Sequence, residues 1–111
     1  MPLTVATPVP ASPPAGRVLS EPESSALLAH GDLLLRKGDL AAARLFYERA
    51  ADAGDGQAAI RLGETFDPVF LDHAQLRGAR GDMAKALAWY RRARDLGAAE
   101  AGVLLQGLEA K

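Results

Sequence analysis

The sequence predicts an all-α fold, and three observations carry that prediction. The first is composition. The chain has 111 residues, of which 49% are hydrophobic but only 5% aromatic, and Leu and Ala dominate the apolar set. Straight-chain residues and Ala lose little rotamer freedom in a helix, whereas strands favour β-branched and aromatic residues. The second is punctuation: Ser or Asp precedes, and Gly follows, several stretches of helical periodicity. The third is an internal repeat, found when the sequence is slid along itself by 43 positions.

Taken in order, the elements begin near Ser20. Ser20-Glu21-Pro22-Glu23 has capping-box spacing, with Pro tolerated in the first turn. That helix runs through Leu27, Leu28, Leu34 and Leu35 and stops at Gly38. Asp39 caps a second helix from Leu40 to about Ala53, ended by Gly54. A third starts at Gly56 or Gln57 and must break before Pro68. Asp67-Pro68 starts a short fourth helix reaching about Arg77, and Asp82 caps a fifth that ends at Gly97. A last helix covers roughly Ala98 to Glu109. Residues 1–20 read as a proline-rich, disordered tail or linker, with no charge before Arg17. A ligand for a proline-reading domain is the weaker reading of it, resting on Pro10 and Pro13.

Composition also narrows the function classes. The chain fits one domain. A net charge of -1 gives no overall attraction to nucleic acid or anionic lipid. The absence of cysteine removes disulfides, thiolate metal sites and cysteine nucleophiles. No stretch reaches the ~18–20 apolar residues of a membrane span.

The repeat superimposes Lys37-Gly38-Asp39-Leu40-Ala41-Ala42-Ala43 on Arg80-Gly81-Asp82-Met83-Ala84-Lys85-Ala86, Tyr47 on Tyr90, Ala50 on Ala93 and Gly54 on Gly97. Ala43, Tyr47 and Ala50 stand at i, i+4 and i+7, one helical face. The small residues admit a neighbouring helix and the ring fills the gap between them. Ala86, Tyr90 and Ala93 repeat the device.

Gly31 and Leu34, then Ala43, Tyr47 and Ala50, resemble the tetratricopeptide repeat. Ala58, Leu62-Gly63 and Phe66, followed by Gly81-Asp82, Ala86, Trp89-Tyr90, Ala93, Gly97 and Ala101, are similar to its Sel-one-like branch. The resemblance covers about residues 24–107. It implies a right-handed antiparallel helix-pair stack. Repeat one would span about 21–54, repeat two about 56–97 with an insertion near 67–78, and a C-terminal capping helix about 98–109. The family pattern makes Gln57 to Phe66 the first helix of the second repeat, whereas the 43-residue period gives that role to the segment after Pro68. The family pattern with a short inserted helix is the one adopted.

The resemblance further implies a protein–protein interaction scaffold that holds a protein or peptide partner in a short concave groove, with no cofactor and no small-molecule substrate. The groove positions carried over are Leu28, Asp32 and Leu35 from the first helix and Gln57, Ile60 and Glu64 from the third. Leu28, Leu35 and Ile60 are equally readable as core. A basic-surface module for nucleic acid or anionic lipid ranks second, using Arg77, Arg80, Lys85, Arg91, Arg92 and Arg94, which are spread around their helix rather than aligned in a stripe. Catalysis ranks third. His30 and His73 fall at equivalent positions, so duplication accounts for them as partly buried helix-face residues, although Asp32 and Asp72 stand near them in sequence. The serines precede or open the first helix, without a nucleophile elbow. A cytoplasmic adaptor is expected if the chain is complete, and an envelope-associated or periplasmic one if it ends a longer anchored protein.

Overall fold

The computed structural model describes residues 20–76 and 79–109 and contains six helices: α1 (Glu21–Arg36), α2 (Leu40–Asp52), α3 (Gly56–Glu64), α4 (Pro68–His73), α5 (Met83–Asp95) and α6 (Ala99–Glu109). The described residues contain no strand, so the protein is all-helical. The tail expected over residues 1–20 lies, apart from Ser20, outside the described residues, as does Arg77.

Local chemistry sets the helix ends. Ser20 Oγ accepts from the Glu23 amide at 3.3 Å while Glu23 Oε1 accepts from the Ser20 amide at 2.9 Å, a reciprocal capping box. Asp39, Asp55, Asp67 and Asp82 each accept a first-turn amide of the helix that follows. At the other ends the left-handed glycines Gly38, Gly54 and Gly97 (φ +83°, +103° and +98°) reverse the chain. The Asp39 amide then donates back to the Leu34 carbonyl at 2.9 Å, and the Ala98 amide to that of Ala93 at 2.9 Å. The fourth helix is shorter than its sequence suggests. It ends at His73 rather than near Arg77, because Gln75 takes the left-handed conformation (φ +61°) and the Leu76 amide closes on the Leu71 carbonyl at 2.9 Å.

Consecutive helices pack against each other, except that α5 lies against α3 while α4 touches α3 only lightly. Each of the two main interfaces is built around a tyrosine. Tyr47 of α2 is fully buried between Ala43 and Ala50, and Tyr90 of α5 between Ala86 and Ala93. The facing helix leaves room with a glycine. A Cβ on Gly31 of α1 would collide with the Tyr47 ring, and one on Gly63 of α3 would sit 2.6 Å from Tyr90 Cε1. Gly–Tyr sockets therefore seat α2 on α1 and α5 on α3.

The segment between α3 and α5 closes on itself. The Asp82 amide donates to the Phe66 carbonyl at 2.7 Å. Phe66 stands three residues after socket glycine Gly63, just as Leu34 stands three after Gly31. Asp82 and Asp39, the donors to those carbonyls, are both N-caps. The same closing bond thus forms in both places, across a longer segment in the second. Among the described residues, no helix is long and apolar enough to cross a membrane.

Candidate functional site

Polar side-chain contacts link α3 to α1 and to α6. Arg61 Nε of α3 lies 3.4 Å from Asp32 Oδ1 of α1. Gln57 Nε2 of α3 donates to both carboxylate oxygens of Glu100 on α6, at 2.8 and 3.0 Å. On α3 the residues Gln57, Ile60, Arg61 and Glu64 recur at i, i+3, i+4 and i+7, and on α1 Leu28, Asp32 and Leu35 recur at i, i+4 and i+7, so each set shares one helical face.

The structure divides the six groove candidates. Ile60 is 6% exposed and belongs to the core formed with Ala86, Tyr90 and Ala93. Leu28 is half-buried and packs against both core clusters, and Leu35 against the one around Tyr47. These three side chains act first as structure. The other three are polar, and two of them are already engaged. Asp32 accepts the Tyr47 hydroxyl at 2.5 Å as well as facing Arg61, and Gln57 is held by Glu100. Glu64 is half-buried; its carbonyl accepts the Asp67 amide at 3.1 Å, and its carboxylate makes no hydrogen bond or ion pair among the described residues.

Electrostatics follow the burial. Burial raises the Tyr47 pKa, and the hydrogen bond to the Asp32 carboxylate raises it further, so the hydroxyl stays a donor. Tyr90 is raised in the same way, by burial and then by its hydrogen bond to Asp67 Oδ2 at 2.8 Å. Burial also raises the Glu64 pKa; Arg61 opposes the rise, and Asp67 and Asp32 add to it. Arg44 of α2 ties the end of α3 in place. Its Nε donates to Thr65 Oγ1 at 3.1 Å and its Nη2 to the Thr65 carbonyl at 2.6 Å, and its guanidinium lies 3.9 Å from the Phe66 ring centre. Burial lowers its pKa.

Sequence reasoning passed over four contributors. Arg61 was legible as the fourth member of the α3 face. The two tyrosine hydroxyls could have been traced by asking what satisfies a buried phenol. Asp67 was readable only as a cap, because its second oxygen acts across space on Tyr90.

No protein-family model, curated protein or solved structure matches this chain. The remaining sequence candidates are scattered. His30 and His73 are exposed rather than partly buried; His30 stacks on Phe46 with ring centres 4.8 Å apart, and Asp72 is exposed. Among the described residues, no three His, Asp or Glu side chains gather where they could hold one metal ion. Arg80, Lys85, Arg91, Arg92 and Arg94 are exposed. Lys85 lies 5.3 Å from the Phe66 ring centre and Arg94 pairs with Asp95 at 3.6 Å.

Proposed function

We propose that the chain is a small scaffold of tetratricopeptide-like, Sel-one-like repeats that binds a protein or peptide segment along the row α1, α3 and α6. In this reading α1 with α2 and α3 with α5 are the two repeats, α4 belongs to an insertion, and α6 caps a right-handed stack. The observation that carries the reading is the recurrence of the Gly–Tyr socket at Gly31/Tyr47 and Gly63/Tyr90. Equivalent sockets set equivalent pair geometry, and repeated pairs stack with their first helices side by side on one face. The Asp32–Arg61 ion pair and the Gln57–Glu100 hydrogen bond support such a row. The row also offers half-exposed apolar surface at Leu28 and Leu35 beside polar groups, a mixture suited to an extended segment. The role is binding, without a reaction or a cofactor. With few repeats the groove is short, so affinity for a lone peptide is modest.

A displayed random-peptide library selected on the full chain tests this. Titrating a selected peptide into the isotope-labelled chain should shift the amides of Leu28, Asp32, Leu35, Gln57, Ile60 and Glu64. Shifts confined to the outer surfaces of α2 and α5, around Glu48 and Arg92, would count against the groove.

A further inference from the structure

We infer that the cleft between the start of α2 and the connection from α4 to α5 binds a small aliphatic carboxylate, with Arg44 and Arg80 receiving the anion. The site goes beyond the peptide groove and does not depend on it, since no residue lining the cleft is a groove candidate.

The cleft has a volume of about 400 Å³, within the ~300–1,000 Å³ typical of small-molecule sites. Its apolar lining comes from Leu40 and Ala41 of α2 and from Leu76 and Ala79 of the connection. Among the described residues, the charged side chains that line it are both cations, Arg44 and Arg80. The carboxylates beside it in sequence serve elsewhere. Asp39 accepts the Ala42 amide at 3.1 Å to cap α2, and Asp82 accepts the Lys85 amide at 3.2 Å to cap α5.

Arg44 is held in place before any ligand arrives. Thr65 Oγ1 accepts from its Nε at 3.1 Å, the Thr65 carbonyl accepts from its Nη2 at 2.6 Å, and its guanidinium lies 3.9 Å from the Phe66 ring centre. These contacts fix the plane and use two of its three nitrogens. Among the described residues, Nη1 makes no hydrogen bond. None of the three partners is an anion. Arg61 faces Asp32 and Arg94 faces Asp95, whereas half-buried Arg44 pairs with no described carboxylate, Glu48 one turn along α2 included.

A half-buried guanidinium with no counter-ion is incompletely compensated. A carboxylate supplies the missing charge and the planar geometry that a guanidinium edge matches. Arg80 adds a second positive charge, so an anion is selected over a cation. The apolar lining then decides what carries the anion. An aliphatic stem takes Leu40 and Leu76 out of water, whereas inorganic phosphate would lose hydration there without burying apolar surface.

The probes are hexanoate, 1-hexanol, hexylammonium and inorganic phosphate, each titrated at pH 7 into the isotope-labelled full chain. Hexanoate should shift the amides of Leu40, Ala41, Arg44, Leu76, Ala79 and Arg80. It should bind about tenfold tighter than hexanol, the worth of one charge-assisted hydrogen bond. Hexylammonium should leave those amides unmoved, and phosphate should bind more weakly than hexanoate. Arg80→Gln should narrow the preference for hexanoate over hexanol, while Arg49→Gln on the exposed side of α2 should keep it. Arg80 is exposed and has no ion pair among the described residues, so Arg80→Gln should melt with the parent and a lost preference is not lost folding. Equal binding of hexanoate and hexanol, tighter binding of phosphate, or no hexanoate shifts at the cleft overturns the inference. A preference unchanged in Arg80→Gln overturns it as well.

Discussion

At the residue scale, two glycines decide how closely the helix pairs approach. In an ordinary helix interior, Gly→Ala stabilises by about 1 kcal/mol through backbone entropy and solvent shielding. At Gly63 the new methyl would sit 2.6 Å from Tyr90 Cε1 and 3.2 Å from the Ala86 carbonyl oxygen. The ring is fully buried and its hydroxyl is fixed on Asp67, so it cannot swing aside. Overpacking of this kind costs ~1–3 kcal/mol, which meets or exceeds the propensity gain. Gly102 on α6 has open space where its Cβ would go. Urea denaturation should therefore show Gly63→Ala less stable than the parent by up to ~2 kcal/mol and Gly102→Ala more stable by up to ~1 kcal/mol. Equal effects of the two substitutions would mean that the socket does not set the helix spacing. The sequence names the socket only in part. The Ala–Tyr–Ala spacing points to the rings, because it follows from helical periodicity within one element. The acceptors of their hydroxyls belong to other elements, at sequence separations of 15 and 23 residues, where no local pattern can announce them.

At the scale of elements, the caps and stops were legible because each is a local event: a carboxylate meets an amide two or three residues on, and a glycine turns left-handed. The end of α4 was not, because Gln75 does there what glycine does at three other helix ends, and nothing in its side chain signals it. The sequence expected an insertion near 67–78, from the mismatch between the 43-residue period and the pattern of the family it resembles. The structure shows how the segment between α3 and α5 closes. Its closing bond, Asp82 amide to Phe66 carbonyl, sits in the register of Asp39 amide to Leu34 carbonyl. Excising residues 68–78 joins Phe66-Asp67 to Ala79-Arg80-Gly81-Asp82, the same length as Leu34-Leu35-Arg36-Lys37-Gly38-Asp39 and with the Gly-Asp pair in register. The excised chain should fold, with α3 extended by about a turn. The main loss is the burial of Leu71, 4% exposed, worth ~1.5–3 kcal/mol and partly offset by the entropy of a shorter loop. A helical, cooperatively melting protein is the expected result, measured by far-ultraviolet circular dichroism. An unfolded chain would show that α4 is part of the framework rather than an addition to it.

At the scale of the whole molecule, the question is whether two socketed pairs make one folding unit or two. Solenoid-like chains hold together through nearest-neighbour interfaces, and their cooperativity depends on what those interfaces share. Here the two cores are not separate. One gathers around Tyr90, Ile60 and Leu105, the other around Tyr47, Ala43 and Leu62, yet Leu28, Phe66 and Trp89 pack against both. Helix α3 contributes to both cores and is itself too short, at 9 residues, to persist alone. Arg44 reaches from α2 to Thr65 at the end of α3, adding a polar bond across the same junction. Loss of either pair thus strips contacts from the helix on which the other is built. Trp89, the single tryptophan, reports on the junction, whereas ellipticity at 222 nm reports on every helix. In urea the two signals should change together, with coincident midpoints and a single slope in the range of ~1–3 kcal/mol per molar. A fluorescence transition that precedes the loss of ellipticity would mean that the junction opens while helices persist, and the two pairs would then be independent units.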